Sequence, residues 1–205
     1  MSYTGSMKLI GRYDSPFVRR VGVSLHVLGL SFNHLPLSPF SQADEFRTHA
    51  SIGRMPALIL DDGETLIESG AILDYLDEVV GPASALIPSH GTQRRKALKL
   101  LGCATAACDK AVAINYERRR PANLIYDDWI KRCRSQLVAA LVELESTRLQ
   151  LVQDQPLRQI EITTGCAIGY IKRVEPDAFD VARYPSLERL TLACEARAAF
   201  SVCPQ

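Results

Sequence analysis

"MPALILDDGETLIESGAILDYLDEVV", residues 55–80, changes its periodicity once, and that change decides the fold. Its first half is two short apolar runs on either side of Asp61-Asp62-Gly63. An Asp-Gly pair between such runs is a strong β-hairpin signal. From Ser69 onward Ile72, Leu73, Leu76, Val79 and Val80 recur at helical spacing. The segment therefore reads strand, turn, strand, helix.

Upstream, "MKLIGRY" at 7–13 reads as a strand and residues 16–28 as a helix. "SFNHLPLS" at 31–38 reads as a second strand, and 41–49 as a short polar helix. The order β-α-β-α-β-β-α predicts a parallel pair of strands with the hairpin added as an antiparallel edge. Downstream, "GPASALIPSHG" has linker composition, and strand signals then vanish. Helical patterns follow at 92–120, 126–152, 161–174 and 186–200. Trp129, Ile130, Leu137, Leu141 and Leu144 fall on one face of the second. The predicted organisation is an α/β domain at 7–81, a linker at 82–91 and an all-α domain at 92–205. The opening 1–6 is small and polar and precedes a second methionine, so it reads as an added leader before a natural start at Met7.

The 205 residues are 47% hydrophobic and 23% charged with a net charge of +1. That is ordinary globular composition. The balanced charge points to neither nucleic acid nor an acidic membrane surface. No apolar run nears the roughly 20 residues of a membrane span. No secretory signal is evident. The six cysteines form no C-x-x-C and no zinc spacing, so free buried thiols in a reducing cytoplasm and no metal are expected. The four histidines do not cluster. Arg118-Arg119-Arg120 reads as a solvated helix end, with anion binding as the alternative.

Three features carry candidate chemistry. Ser15 precedes Pro16 at a helix start, either as a plain cap or as a hydroxyl aimed at a ligand. Pro56 sits just before a strand, where a cis bond would turn the backbone of Met55 outward to pair with an extended peptide. An ordinary edge-strand proline is the simpler alternative. Glu68 and Ser69 mark a strand-to-helix junction. Ser69 reads as an N-cap, yet the free N–H groups there also suit a carboxylate, and Glu68 suits an ammonium. One carboxylate and one ammonium together make an α-amino-acid head.

In this order and spacing the chain resembles glutathione transferases. The resemblance rests on "SPFVRRV" at 15–21, "GRMPAL" at 53–58 and "ESGAILDYLDE" at 68–78. It continues through "YERRRPA" at 116–122, "DDWIKRC" at 127–133 and "GCAIGYI" at 165–171, segments similar to the bacterial serine-type members. It implies a thioredoxin-like α/β domain followed by an all-α helical bundle. It also implies glutathione as co-substrate, a hydrophobic electrophile as second substrate, and a homodimer. Residue by residue it implies Ser15 as the catalytic hydroxyl and Met55 before the cis-proline Pro56 as the partner of the cysteinyl backbone. Glu68 and Ser69 would hold the γ-glutamyl head, and Arg54, at a usually basic position, would be a further glutathione-binding residue or only line the rim. Tyr13 is the rival hydroxyl, and Arg19 or Arg20 would help ionise the thiol if either turned toward it. Other readings of the same scaffold are a non-enzymatic glutathione-responsive binding protein and a glutathione-dependent isomerase or dehalogenase.

Two departures from the family pattern stand out. Ala50-Ser51 replaces a frequent Asn-Pro, which predicts a looser loop. Arg158-Gln159-Ile160-Glu161 lacks the hydroxyl of the usual capping box, although Glu161 still suits the helix start.

Overall fold

The structure, a computed structural model, describes residues 7–151 and 155–205. The leader expected at 1–6 lies outside the described residues. The first half contains β1 (Met7–Ile10), α1 (Pro16–Val27), β2 (Phe32–Leu35), α2 (Ala43–His49), β3 (Ala57–Ile59), β4 (Thr65–Ile67) and α3 (Ser69–Val80). The sheet order is β2-β1-β3-β4, with β1 parallel to β2 and the other two pairings antiparallel. The parallel pair and antiparallel hairpin edge are as the alternation predicts, and together they make the thioredoxin-like arrangement that the resemblance implies.

Successive residues of a strand face opposite sides, and the core divides accordingly. Leu9 and Leu58 face α1 and α3, joining Val18, Val21, Leu25, Ile72 and Leu76. Ile10 and Ala57 face the other way, with Leu37, Phe46 and Ala50 around α2. The hairpin closes as its sequence requires. Gly63 takes φ 89°, and the Glu64 N–H donates to Asp62 Oδ1 at 2.9 Å. Beyond α3, the Asp77 carboxylate accepts from the backbone of Leu86 at 2.7 Å and Ile87 at 3.1 Å. The loop expected to be loose at Ala50-Ser51 is closed by a Gly53 N–H to Ala50 C=O bond of 2.9 Å.

The chain forms two compact units. One comprises the described residues up to Ser89 together with Arg197–Gln205, and the other is His90–Ala196. The second unit is helical: α4 (Gly91–Glu117), α5 (Asp127–Ser146), α6 (Gln159–Val174) and α7 (Pro185–Glu195), with two short 3-10 turns. Leu101, Ala104, Ala107, Ala111 and Ile114 of α4 are buried in it. Ion pairs and caps tie the helices. Buried Glu175 holds both Arg118 and Arg134, and Glu145 of α5 caps α7 by accepting from the N–H groups of Ser186 and Leu187.

Several local expectations change. Residues 186–200 are two helices, because Arg197 turns extended at φ −83°, ψ 140°. The second piece, α8 (Ala198–Ser201), belongs with the first unit, so residues 197–205 leave the helical domain to which the sequence reading gave them. Helix α5 stops at Ser146: Thr147 bonds Leu144 C=O at 2.6 Å and Arg148 turns left-handed at φ 48°. The arginine run is exposed at the end of α4, as expected of a solvated helix end, and each arginine also makes a contact within the chain. Arg118 joins Glu175, Arg119 lies 5.9 Å over the Tyr116 ring, and Arg120 pairs with Glu117 at 3.0 Å. At α6, Glu161 reaches back to the Arg158 N–H at 2.9 Å, so half of a capping box forms without a hydroxyl.

Candidate active site

Strand register gathers the candidates at one end of the sheet. Ile10 pairs with Ala57, and Ala57 with Ile67. The chain therefore leaves β1 toward Ser15 beside the entry to β3 at Met55-Pro56 and the exit of β4 at Glu68. Gly11 makes this crossing fit. It has φ 126°, and a Cβ there would stand 2.6 Å from Val18 Cγ2 and 3.1 Å from Met55 Cβ.

Ser15 is the N-cap of α1, with 8% of its surface exposed. Its Oγ accepts from the Val18 N–H at 3.5 Å, which is the long limit of a hydrogen bond. That contact uses a lone pair and leaves the hydroxyl proton uncommitted by the cap. Tyr13 is placed differently. Its ring lies on Gly22, where a Cβ would fall 2.5 Å from Cε1, and stacks on His34 with centroids 4.0 Å apart. Its hydroxyl bonds the Cys203 thiol, and burial, followed by that bond, pushes its pKa well above the ordinary tyrosine value. The Cys203 thiol is itself pushed up by burial.

Met55–Pro56 is cis. Pro56 is buried and Met55 half-buried. The ladder with β1 begins at Ala57, so the Met55 backbone stands outside it. Arg54 is exposed.

At the third element Glu68, not Ser69, is the N-cap of α3. It takes φ 73°, a strained region for a side chain of this kind. Its Oε2 accepts from the Gly70 N–H at 3.1 Å, and its Oε1 from the Ser69 hydroxyl at 3.1 Å. Ser69 is fully buried, and its Oγ accepts from Arg20 Nη2 at 2.8 Å.

The two arginines take separate partners. Arg19 is buried, donates from Nε to Cys203 C=O at 2.7 Å and lies 5.0 Å from the Phe200 ring centroid. Arg20 turns to Ser69. The contacts of Arg19 and Arg20 described here lead toward residues 200–203 and Ser69, respectively. Gly11, Gly22 and Cys203 are the residues that sequence reading did not place at the site, and Arg20, a candidate to turn toward the thiol, bonds Ser69. Only the glycines left a local signal, one at a strand end and one inside a helix pattern.

The arrangement offers a backbone segment outside the strand ladder, a helix N-terminus beside a carboxylate, and a hydroxyl at a second helix N-terminus. These suit a short peptide with an amino-acid head and a reactive group near Ser15. Among the described residues no His/Cys/Asp/Glu group could hold a metal, and no helix is long and apolar enough to cross a membrane.

Residues 9–84 match the family described as "Glutathione S-transferase, N-terminal domain". The chain is 27% identical to the uncharacterized GST-like protein YibF of Escherichia coli K12, over 83% of this chain and 85% of that one. It is 36% identical to a maleylacetoacetate isomerase of Pseudomonas aeruginosa over 55% and 57% of the two chains. A crystal structure of a glutathione S-transferase from Methylobacterium radiotolerans, in complex with glutathione sulfonate, superposes with a TM-score of 0.87 at 27% identity. It covers 97% of this chain and 94% of that one.

Proposed function

Because the chain belongs to the glutathione S-transferase family, we propose that it is a glutathione transferase. It ionises the glutathione thiol and delivers the thiolate to a hydrophobic electrophile. Glutathione extends along the Met55 backbone, with Arg54 at the rim. Its γ-glutamyl carboxylate meets the α3 N-terminus and Ser69, and its ammonium meets Glu68. The glutathione sulfonate held by the Methylobacterium protein supports this ligand class.

The observation that carries the reading is Ser15 Oγ, which keeps its proton at the N-terminus of a 12-residue helix. A free thiol ionises near pH 8.5, so only a few per cent is thiolate at pH 7. Lowering that pKa by about two units takes roughly 2.7 kcal/mol. One hydrogen bond to the charged sulfur and a helix N-terminus together supply about that much. The thiol proton goes to solvent and the thiolate forms its bond to the electrophilic carbon; in a displacement the carbon–leaving-group bond breaks and the group leaves with its electron pair, and in an addition the resulting carbanion takes a proton from solvent. The test is thiolate absorbance of bound glutathione against pH. An apparent pKa well below that of the free thiol is expected, and an unshifted value refutes activation.

A second reading, a glutathione-dependent isomerase, is favoured by the 36% identity to the Pseudomonas isomerase. Product mass separates the two: a transferase leaves glutathione carbon-bound in the product, and an isomerase returns it free.

The protein acts as a homodimer in this reading. The Ala-rich face of α4 is buried within its own unit, so the contact uses other surface, such as exposed Phe40 and Ile52. Light scattering at micromolar concentration gives twice the chain mass if this holds and the single mass if it does not.

A further inference from the structure

We propose that His34 is a positioning residue for the Ser15 hydroxyl, acting through the Gly11 carbonyl. The proposal rests on the reading above, in which Ser15 ionises the glutathione thiol.

Residues 11–15 carry the hydroxyl from the end of β1 to the start of α1. The cap bond of Ser15 Oγ, at 3.5 Å, is too long to fix the hydroxyl by itself. The backbone leading to it therefore sets where it stands. That backbone is closed into a turn by the Ser15 N–H, which donates to Arg12 C=O at 3.0 Å. The turn is anchored at Gly11 by two bonds to β2. The Gly11 N–H donates to Leu35 C=O at 3.0 Å, and the Gly11 C=O accepts from His34 Nε2 at 2.7 Å. A carbonyl oxygen only accepts, so the proton of the second bond sits on Nε2.

His34 holds the middle of the turn as well. It stands opposite Leu9 in the parallel pairing of β2 with β1, on the sheet face that meets α1. From there its ring stacks on Tyr13, with centroids 4.0 Å and planes 19° apart. A stack tolerates sliding, whereas a 2.7 Å bond fixes both a distance and a direction. The bond is thus the contact that sets the turn. Without it the Gly11 peptide is free to rotate, at a glycine whose φ of 126° no Cβ restrains. Ser15 Oγ then loses its fixed distance to the sulfur, and a catalytic group works only when held within about 0.5 Å of its productive place.

The experiment follows the thiolate absorbance of bound glutathione against pH, with the affinity for S-hexylglutathione measured by calorimetry. H34F keeps a ring on Tyr13 but no donor, and H34Q keeps an N–H donor at the Nε2 position. They are compared with wild type, S15A and S15A/H34F. In wild type the bound thiol should titrate well below the free thiol. H34F should raise that apparent pKa by about one unit, part of the worth of a bond to a charged group. H34Q should restore most of the lowering. S-hexylglutathione has no thiol to ionise and should bind H34F and wild type alike. H34F should add no shift in the S15A background. If H34F gives no cooperative melt, H34L replaces it under the same criteria. An unshifted wild-type thiol, or an S15A protein whose bound thiol titrates as in wild type, would overturn the site reading itself. A lowering that survives in H34F, a lowering that H34Q does not restore, or a matching loss of S-hexylglutathione affinity in H34F would overturn the role of His34 and leave the site standing. A shift of full size added by H34F to S15A would overturn the route through Ser15.

Discussion

Ser15 and Tyr13 both bring a hydroxyl to the start of α1, and their neighbours separate them. Tyr13 donates to Cys203 and is deeply desolvated, whereas Ser15 only accepts in its cap. Ser15→Ala is expected to raise the pKa of bound glutathione by about one to two units, the worth of a bond to a charged group. Turnover at pH 7 should fall, and the defect should shrink as pH approaches 8.5, where the thiol ionises unaided. Tyr13→Phe should leave that pKa in place. Thiolate absorbance and rate profiles across pH read both, and a shift in Tyr13→Phe alone would exchange the roles. Ser69→Ala should weaken glutathione binding by about 1–3 kcal/mol, read by calorimetry. The positions of Ser15 and Met55-Pro56 were legible in the sequence because each is local, a hydroxyl before a helix-starting proline and a proline at a strand entry; at Glu68-Ser69 the helix start was legible, but its cap is Glu68 and not Ser69. The partners of Arg20 and Arg19 were not legible, because they lie 49 and 184 positions away.

Elements were legible wherever periodicity and turn chemistry agreed, as in the Asp61-Asp62-Gly63 hairpin and the buried stripe of α3. They were misread where one backbone angle intervened. Nothing in "ACEARAAF" announces that Arg197 turns extended, since alanines favour an unbroken helix. Helix α1 shows how tightly such an element is fitted. Gly22→Ala would press a methyl into the Tyr13 ring, with an expected loss of about 1–3 kcal/mol in urea melts. At α6, burial holds the Glu161 carboxyl above its ordinary value of 4.5 and outweighs the lowering by the Arg158 N–H. The folded chain therefore binds this proton more tightly than the unfolded chain. Its contribution to stability falls as pH rises through the window just above 4.5. Glu161→Gln should remove that part of the slope, seen as a narrowing difference between variant and wild-type urea midpoints as pH falls toward 4.5.

At the scale of the whole molecule, the first unit contains residues from both ends of the sequence. Phe200 is fully buried there beneath Arg19. Phe200→Ala should cost about 3–5 kcal/mol, read as a lower denaturant midpoint. Composition could not reveal this closure, because residues 198–201 are as helical as the bundle before them and only their contacts reveal where they belong. The carbonyl that holds Arg19 and the thiol that holds Tyr13 both belong to Cys203. A ribosome adding about 5–20 residues per second reaches that cysteine roughly ten to forty seconds after it makes Arg19. Through that interval the nascent first unit has its sheet residues in hand but lacks the segment that covers α1. The helical unit, made entirely in between, can mature first, so the part of the protein written earliest is the part finished last.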